Sequence, residues 1–525
     1  MAFFRGKVRD IFGCDLRSLA FFRIGLATLI LLDLIDRSRD LRAHYTDWGL
    51  MPRAALIDLF LHPSCLSLHF INGTWEWAAF LFLVAGLFAV GLLVGYRTRL
   101  MTVVSWILLV SLQNRNPLVL QGGDILFRVV AFWAMFLPLG ARASMDRYLE
   151  KQQGIAEPGE TVVLSWATAA VLIQVCLLYV YAGVLKTGVE WTRDYTAVYY
   201  ALHVDQLTTP LGHWLLDYPR VMKAMTYLTI KIEIFGPLLF FMPVFTGFFR
   251  LLAIVLLAGL QMGFGSTMRI YIFPWTCICA TVPMIPSVFW DKLPAKIRAL
   301  SAYGPRLAEW LKTRFFFDKL LRHLPPKPVS TRLSTWANVT AGLFLLYVFV
   351  WNLGTLPASM NKKRIDVPRK LKWIASVLRL DQTWNMFAPY PLKDDGWYVI
   401  PGVLKNNQEV DVFRGGGPVS WEKPKYVAYM YKNQRWQKYM MNLWSKDFSE
   451  FRLYYGRYLC RVWNDHHKGG EQLDHFSINY MRQDTRLNGE AAPQKVDLWD
   501  HYCFKVPETA PLSETKPAKP SAPVK

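Results

Sequence analysis

The stretch Tyr179-Val-Tyr-Ala-Gly-Val-Leu-Lys-Thr-Gly-Val-Glu-Trp191 closes an apolar run that begins at Val162 and reaches Leu185. A run of about 20 apolar residues is long enough to cross the hydrocarbon core of a bilayer. This one ends on Lys186, with Trp191 five residues later. A lysine at that depth is costly unless it reaches water, pairs with an acid, or does chemistry. The run points to a membrane helix, and the lysine at its end is either a snorkelling anchor or a working group.

Composition agrees with a membrane protein. Of 525 residues, 53% are hydrophobic, and they are gathered into runs that soluble chains avoid. Nine stretches read as spans: Leu19–Ile35, Trp75–Val94, Met101–Leu112, Ile125–Leu139, Val162–Leu185, Met222–Phe245, Leu251–Phe264, Ile270–Pro286 and Trp336–Leu353. The shorter ones are candidates for half-helices buried by their neighbours. The formal net charge of +21 would suggest nucleic acid in a soluble chain. Here the cations cluster between apolar runs, which fits membrane orientation and anionic lipid, and excludes nucleic acid as the expected partner. Residues Met1 to Asp15 are basic and lack a small-residue cleavage site before the first run, so that run reads as a retained span.

The short loops set the expected orientation. Arg97 and Arg99, Arg142, Arg147 and Lys151, Arg250, and the basic segment Asp291 to Lys327 fall on one side if the nine spans alternate. The positive-inside rule makes that side cytoplasmic. Arg37, Arg39 and Arg42 break the pattern, with Asp33, Asp36 and Asp40 as candidate partners. Alternation then places Asn114–Gly123, Lys186–Pro219 and everything beyond Leu353 outside, on one face. The expected location is the cell inner membrane, multi-pass, with an extracytoplasmic C-terminal domain.

Beyond Pro357 the composition becomes that of a soluble α+β domain. Trp397–Leu404 and Val410–Phe413 flank Lys405-Asn-Asn-Gln and predict a hairpin. Val427–Trp444 and Glu450–Trp463 predict helices, and Phe476–Tyr480 a strand. Cys460 and Cys503 are the cysteines of this region and could pair if it lies in an oxidising compartment. No cysteine spacing suggests a metal site. The expected organisation is a transmembrane domain over 1–290, a basic cytoplasmic linker over 291–335, a final transmembrane helix over 336–356, an extracytoplasmic α+β domain over 357–506 and a disordered tail over 507–525. The fold class is an all-α polytopic helical bundle of about eight to nine spans with a small α+β C-terminal domain.

The pattern Tyr181-Ala-Gly-x-x-Lys186-x-x-x-x-Trp191 resembles the segment of vitamin K-dependent gamma-carboxylases that carries their catalytic base, with Lys186 at the matching position. The segments Gln113-Asn-Arg-Asn-Pro-Leu-Val-Leu-Gln-Gly-Gly-Asp124 and Phe136-Leu-Pro-Leu-Gly-x-x-x-Ser-x-Asp146 resemble the bacterial relatives of those enzymes. These share the domain called horizontally transferred transmembrane, or HTTM. Gln261 to Pro283 resembles the family's later spans, so the likeness runs from about Arg9 to Asp291. Leu380-Asp-Gln-Thr-Trp-Asn-Met-Phe-Ala-Pro389 resembles a segment that follows the membrane domain in some bacterial members.

The resemblance implies a demanding reaction. In the carboxylases an uncharged amine deprotonates vitamin K hydroquinone, and oxygen-dependent epoxidation generates a base strong enough to remove a glutamate γ-proton. Carbon dioxide then adds. The resemblance makes Lys186 the catalytic candidate, supported by Asn114, Asn116, Asp124, Tyr181, Trp191 and Gln261, with a reduced quinone such as vitamin K hydroquinone as cofactor, membrane lipid and that quinone as partners, and no metal. Two departures bear on it. Asn116 stands where the carboxylases have a histidine, and Gln261 replaces a second family histidine. Quinol epoxidation tolerates those changes better than peptide carboxylation does.

Other candidates have plain readings. Asp124 is either a helix N-cap or a polar group near the site. Glu233, inside a span, needs a partner from another span because Lys231 lies on a different helical face. His203, His213, His466 and His467 read as solvated loop histidines. Two functions follow: carboxylase-like, oxygen-dependent chemistry on a quinol, with or without glutamate carboxylation, or a non-catalytic lipid- or quinone-binding scaffold that recruits an unidentified protein partner through its outer domain. An enclosed apolar cavity with an acid or amide near Lys186 favours the enzyme, and open solvent favours the scaffold. For orientation, we expect single cysteines at Gly188 and Asn385 to react with an impermeant thiol reagent from the extracytoplasmic side, and one at Ala308 from the cytoplasmic side. Labelling of Ala308 and Asn385 from the same side would overturn that orientation.

Overall fold

The computed structural model describes residues 2–59, 64–293, 330, 331, 333–487 and 489–504. Most of the basic linker, Ala308 within it, and the C-terminal tail lie outside the described residues. The chain forms two compact units. One comprises Met1–Trp397, Lys423–Ser449 and Arg482–Gln494, and the other Tyr398–Glu422, Glu450–Met481 and Lys495–Lys525. Parts of the region beyond Pro357 therefore belong to the helical unit.

All nine apolar stretches are helical. They form α1 (Leu16–Ser38), α2 (Trp75–Val94), α3 (Thr98–Arg115), α4 (Gly122–Ala134), α5 (Trp166–Val184), α6 (Pro219–Phe235), α7 (Thr246–Thr267), α8 (Ile272–Thr281) and α9 (Thr335–Gly354). Among the described residues, six are long and apolar enough to cross a membrane: α1, α2, α5, α6 with its 3-10 extension to Phe241, α7 and α9. Six such helices, and not eight to nine, are shown by length and composition. Helix α4 has 13 residues, or roughly 20 Å at 1.5 Å per residue, short of the roughly 30 Å hydrocarbon core. Helix α8 has 10, and α3 ends in the polar run Gln113-Asn-Arg. Alternation across nine crossings thus no longer assigns the loops to sides.

Burial ranks the helices. The apolar window of α5 is 83% buried, against 22% for α7 and for α9. Helix α5 packs against α4, α6, α8 and α9, so it is the central strut and the outer pair leave apolar faces for lipid. Helix α4 is buried along nearly its whole length. Its short span is possible because neighbours, rather than lipid, surround it.

The segment Leu380–Ala388 is inserted into the bundle. Leu380 and Trp384 are fully buried in the same apolar core as α4 and α5. Gln382 accepts a hydrogen bond from Gln174 Nε2 of α5 at 2.7 Å and one from Trp384 Nε1 at 3.1 Å, and its backbone carbonyl accepts one from Trp351 Nε1 of α9 at 3.1 Å. A glutamine in the middle of an apolar helix is thereby satisfied by a chain that returns into the bundle. Arg128 of α4 holds the start of that segment through Asp381 at 2.8 Å and the Arg379 carbonyl at 2.9 Å.

A second return brings in α10 (Gln434–Trp444). Asn433 caps it, accepting from the Arg435 and Trp436 amides, and donates to Asp40 at 2.6 Å. Arg435 enters a fully buried ion cluster. It contacts Asp124 at 2.6 Å and Asp33 at 2.7 Å, while Arg37 contacts Asp33 at 2.7 Å and Asp124 at 2.6 Å. Two guanidiniums and two carboxylates balance, and each carboxylate is shared. Arg37 is therefore paired, as expected, with Asp33. Arg39 stands 3.9 Å from Asp36.

In the second unit, β1 (Pro401–Leu404) pairs antiparallel with β2 (Glu409–Asp411), register Gly402 to Val410, and with β3 (Leu473–Arg486, within the second unit as far as Met481), register Gly402 to Phe476. Strand β4 (Gln494–Tyr502) also pairs with β3. The expected hairpin is present, with Asn407 in the left-handed region at φ 65°. Helix α11 (Phe451–His466) realises the second helical expectation. The first is shorter than expected, since 427–430 is 3-10 before α10. Cys460 and Cys503 form a disulfide, their Cα atoms 5.4 Å apart, within the usual bridging range.

Removing one member of a buried ion cluster leaves an uncompensated charge, at about 3–5 kcal/mol. We expect Arg435→Met to lower the unfolding free energy in detergent by about that amount, measured by denaturant titration. A loss below about 1 kcal/mol would show that the cluster does not hold α10.

Candidate functional site

Helix α5 ends at Val184, where the Leu185 amide caps the Tyr181 and Gly183 carbonyls and the Ala182 carbonyl is met by a side chain. Lys186 Nζ turns back and donates to the Ala182 carbonyl at 3.0 Å, at the end of a helix where a cation is favoured. The same Nζ donates to Glu233 Oε1 at 3.0 Å and Oε2 at 2.8 Å. The Trp191 ring centroid is 5.0 Å away. Lys186 is 5% exposed and Glu233 4%. Glu233 thus has its partner from another helix, as its position in an apolar span required.

Gly183 explains how the two side chains meet. A Cβ there would stand 2.7 Å from the Ile234 side chain and 3.2 Å from Glu233 Cβ. Only glycine lets α6 approach α5 so closely. The Gly-x-x-Lys spacing therefore sets a helix contact one turn before the lysine.

Lys186, Glu233 and Trp191 line a cavity of about 560 Å³, inside the range of small-molecule sites, about 300–1,000 Å³. Its walls are mostly apolar, from Leu178, Leu228, Ile232, Leu260 and Phe264 among others. The inserted segment contributes Asn385 to Ala388, and α10 contributes Gln434, Gln437 and Lys438. The Gly188 amide donates to the Pro389 carbonyl at 2.9 Å, and Trp191 Nε1 to the Phe387 carbonyl at 2.8 Å. Lys186 and the region beyond Leu353 therefore meet at one site.

The expected supporting residues divide. Trp191 and Gln261 line the cavity. Gln261 Nε2 donates to Tyr179 Oη at 3.1 Å, and its Oε1 is buried without a partner. Tyr181 does not line it. It faces a separate groove with Trp166, Phe241 and Leu345, because Tyr179, Ala182 and Lys186 share one helical face and Tyr181 lies across from it. Tyr179 is the tyrosine at the cavity, and its 3–4 residue spacing to Ala182 and Lys186 is the signal for that.

Asn114, Asn116 and Asp124 are also not among the lining residues, contrary to the expectation that this motif would reach Lys186 through them. Asn114 donates to the Leu66 carbonyl at 2.6 Å and accepts from Arg379. Asn116 donates to the His44 carbonyl at 3.0 Å. Asp124 is not the N-cap of α4. It lies in the helix's first turn, accepts from the Gln121 amide at 2.9 Å and serves the ion cluster. The same motif reaches the cavity through Gln121 and Gly122 instead. Among the described residues no group of three or more His, Cys, Asp or Glu side chains is placed to hold a metal.

Lys438 went unremarked in the sequence, since a lysine on an aromatic helix reads as solvated. It is partly buried, and that burial pulls its ammonium below the ordinary lysine value. Gln434 Oε1 and Gln437 Oε1 are buried without partners. Helix α10 is further tied to the loop beside the cavity: Gln437 Nε2 donates to the Gln206 carbonyl, Tyr431 Oη donates to Gln206 Oε1 at 2.8 Å, and Gln206 Nε2 donates to Asp395 at 2.8 Å.

Burial, reinforced by the neighbouring Asp205 charge, raises Asp395 from 3.8 to about 7. The folded chain then holds a proton between those values that the unfolded chain has released. The stability it contributes is full below that window and declines as pH rises through it. We expect the thermal unfolding temperature in detergent to fall between pH 4.5 and pH 7.5 more steeply in the native protein than in Asp395→Asn. Parallel slopes would show that Asp395 is ionised throughout.

The family model described as the HTTM domain matches residues 13–290, which contain α1 to α8, Lys186, Glu233 and Gln261. No curated protein and no solved structure matches the chain.

Proposed function

The chain belongs to the HTTM family, and on that premise we propose that its cavity binds a reduced quinone, such as vitamin K hydroquinone, with Lys186 as the proton acceptor. The observation that carries this reading is the burial of Lys186: it is 5% exposed, borders a mostly apolar cavity and is bonded to a carboxylate. A snorkelling lysine would extend toward water.

The lining fits such a molecule. Apolar walls suit a ring with a hydrocarbon tail, and the unpartnered Gln261 Oε1 can accept a hydrogen bond from a ring hydroxyl, which lowers the cost of burying it. A bound hydroquinone supplies an acidic hydroxyl and the electrons for reaction with dioxygen, giving the quinone epoxide and water. Glu233 gives Lys186 a way to work as a base. The proton can pass from Nζ to the carboxylate without changing the pair's net charge, which leaves an amine free to accept another. Trp191 and Phe387 close the site beside Nζ, limiting water at the reacting atoms.

Epoxidation is the favoured reaction over glutamate carboxylation. Asn116, at the position of a carboxylase histidine, is bonded to the His44 carbonyl. Gln261, at the position of the other, cannot take a proton near neutral pH. We infer a multi-pass inner-membrane protein whose second unit lies outside the cytoplasm, supported by the Cys460–Cys503 bond, which an oxidising compartment permits.

Lys186→Arg tests the proposal, because a guanidinium holds its proton while still able to pair with Glu233. With vitamin K hydroquinone and oxygen, we expect epoxide from the native protein and at least about a 100-fold lower rate from Lys186→Arg, in the range that general-base catalysis contributes, with unfolding temperature retained. Equal rates would remove Lys186 as base. No epoxide from either protein would favour a non-catalytic lipid- or quinone-binding scaffold.

A further inference from the structure

The cavity is lined by two lysines, and they are not equivalent. Lys186 is neutralised by both oxygens of Glu233. Lys438 has no carboxylate against it among the described residues, and no acceptor there takes a hydrogen bond from its ammonium. Helix α10 carries no acid in its own sequence, Gln434 to Trp444. Lys438 is flanked on the cavity side by Gln434, Gln437 and Met441, none of which carries charge.

An ammonium among apolar walls is stabilised by water or by an anion that enters with a ligand. The remaining walls are hydrocarbon, so the complementary molecule is an anion at the end of an apolar body. A single lysine is a point charge suited to a monoanion, whereas a phosphate group is commonly held by several donors, among them a guanidinium fork or a helix N-terminus. The cavity volume of about 560 Å³ suits one hydrocarbon chain better than a two-chain lipid.

We propose that Lys438 is the anchor of a binding site for a long-chain carboxylate whose hydrocarbon part occupies the apolar cavity. This rests on reading the cavity as a ligand site, and not on Lys186 acting as a base. Such a carboxylate competes with a neutral quinol for the same volume. The carboxylate takes a charge-assisted hydrogen bond from Lys438 Nζ, and the quinol does not need it. The amide side chains of Gln434 and Gln437 border the head group, and the chain lies along Leu228, Leu260 and Phe264.

The test uses the full chain in nanodiscs with radiolabelled oleate and its neutral counterpart, oleyl alcohol. We expect the native protein to bind oleate at least about tenfold more tightly than the alcohol, the scale of one charge-assisted hydrogen bond. Lys438→Met should lose that preference while binding the alcohol as before, which also reports an intact cavity. Lys438→Arg should restore it. No preference in the native protein, or a preference that survives Lys438→Met, would overturn the proposal. A result of that kind leaves epoxidation by Lys186 standing, and an inactive Lys186 leaves oleate binding standing. Failure of the native protein to bind either lipid would overturn the cavity as an amphiphile site, and both readings with it.

Discussion

The buried cluster of Asp33, Arg37, Asp124 and Arg435 is the constraint on which the arrangement around the cavity depends. Each group would be prohibitive alone in a membrane-facing interior. Together they balance two positive against two negative charges at 2.6–2.7 Å. Three partners come from α1 and α4, and the fourth arrives from α10, more than 300 positions later in the chain. Without Arg435 the cluster carries an excess negative charge, so the bundle and α10 are mutually dependent. Because Arg435 is flanked by Gln434, Gln437 and Lys438, the same ion contacts that seat α10 also decide which side chains face the cavity.

The inserted segment Leu380–Ala388 works by hydrogen bonding and burial instead of charge. Gln174 would be an expensive residue in the middle of α5 if lipid or apolar side chains surrounded it. Gln382 satisfies it, and Trp384 fills the adjoining space with a fully buried indole. The insertion carries Phe387 onto Trp191, whose ring lies beside Lys186. Part of the region beyond the last membrane helix thus belongs to the helical unit and supplies one wall of its cavity.

Within the cavity the electrostatics are asymmetric. At the α5 end, the Ala182 carbonyl, Glu233 and Trp191 all contact one ammonium. At the α10 side, a second ammonium has amide neighbours but no counter-charge. The first arrangement can relocate a proton without net charge transfer. The second supplies a fixed attraction for an anion. An apolar cavity with these two poles can distinguish a neutral acidic ligand from an anionic one.

Much of this was legible in the sequence. Runs of apolar residues near 20 in length specify helices by themselves, because a bilayer-length run has few other ways to satisfy its backbone. The hairpin around Asn406 and Asn407 and the need of Glu233 for a partner on another helix followed from local pattern, and the HTTM family from the resemblance of its motifs. Helix periodicity even distinguishes Tyr179 from Tyr181, although the motif drew the eye to Tyr181. What local pattern could not decide was pairing across long separations. Lys186 and Glu233 are 47 positions apart, and Asp124 and Arg435 are 311 apart. Charge and polarity in a sequence announce that a buried group needs a partner, but the partner is chosen by which helices can approach. That choice rests on contacts such as the one Gly183 permits. The count of crossings depends on the same choice: α4 and α8 are apolar and buried by neighbouring helices, and hydrophobicity alone does not tell a protein interior from a lipid one.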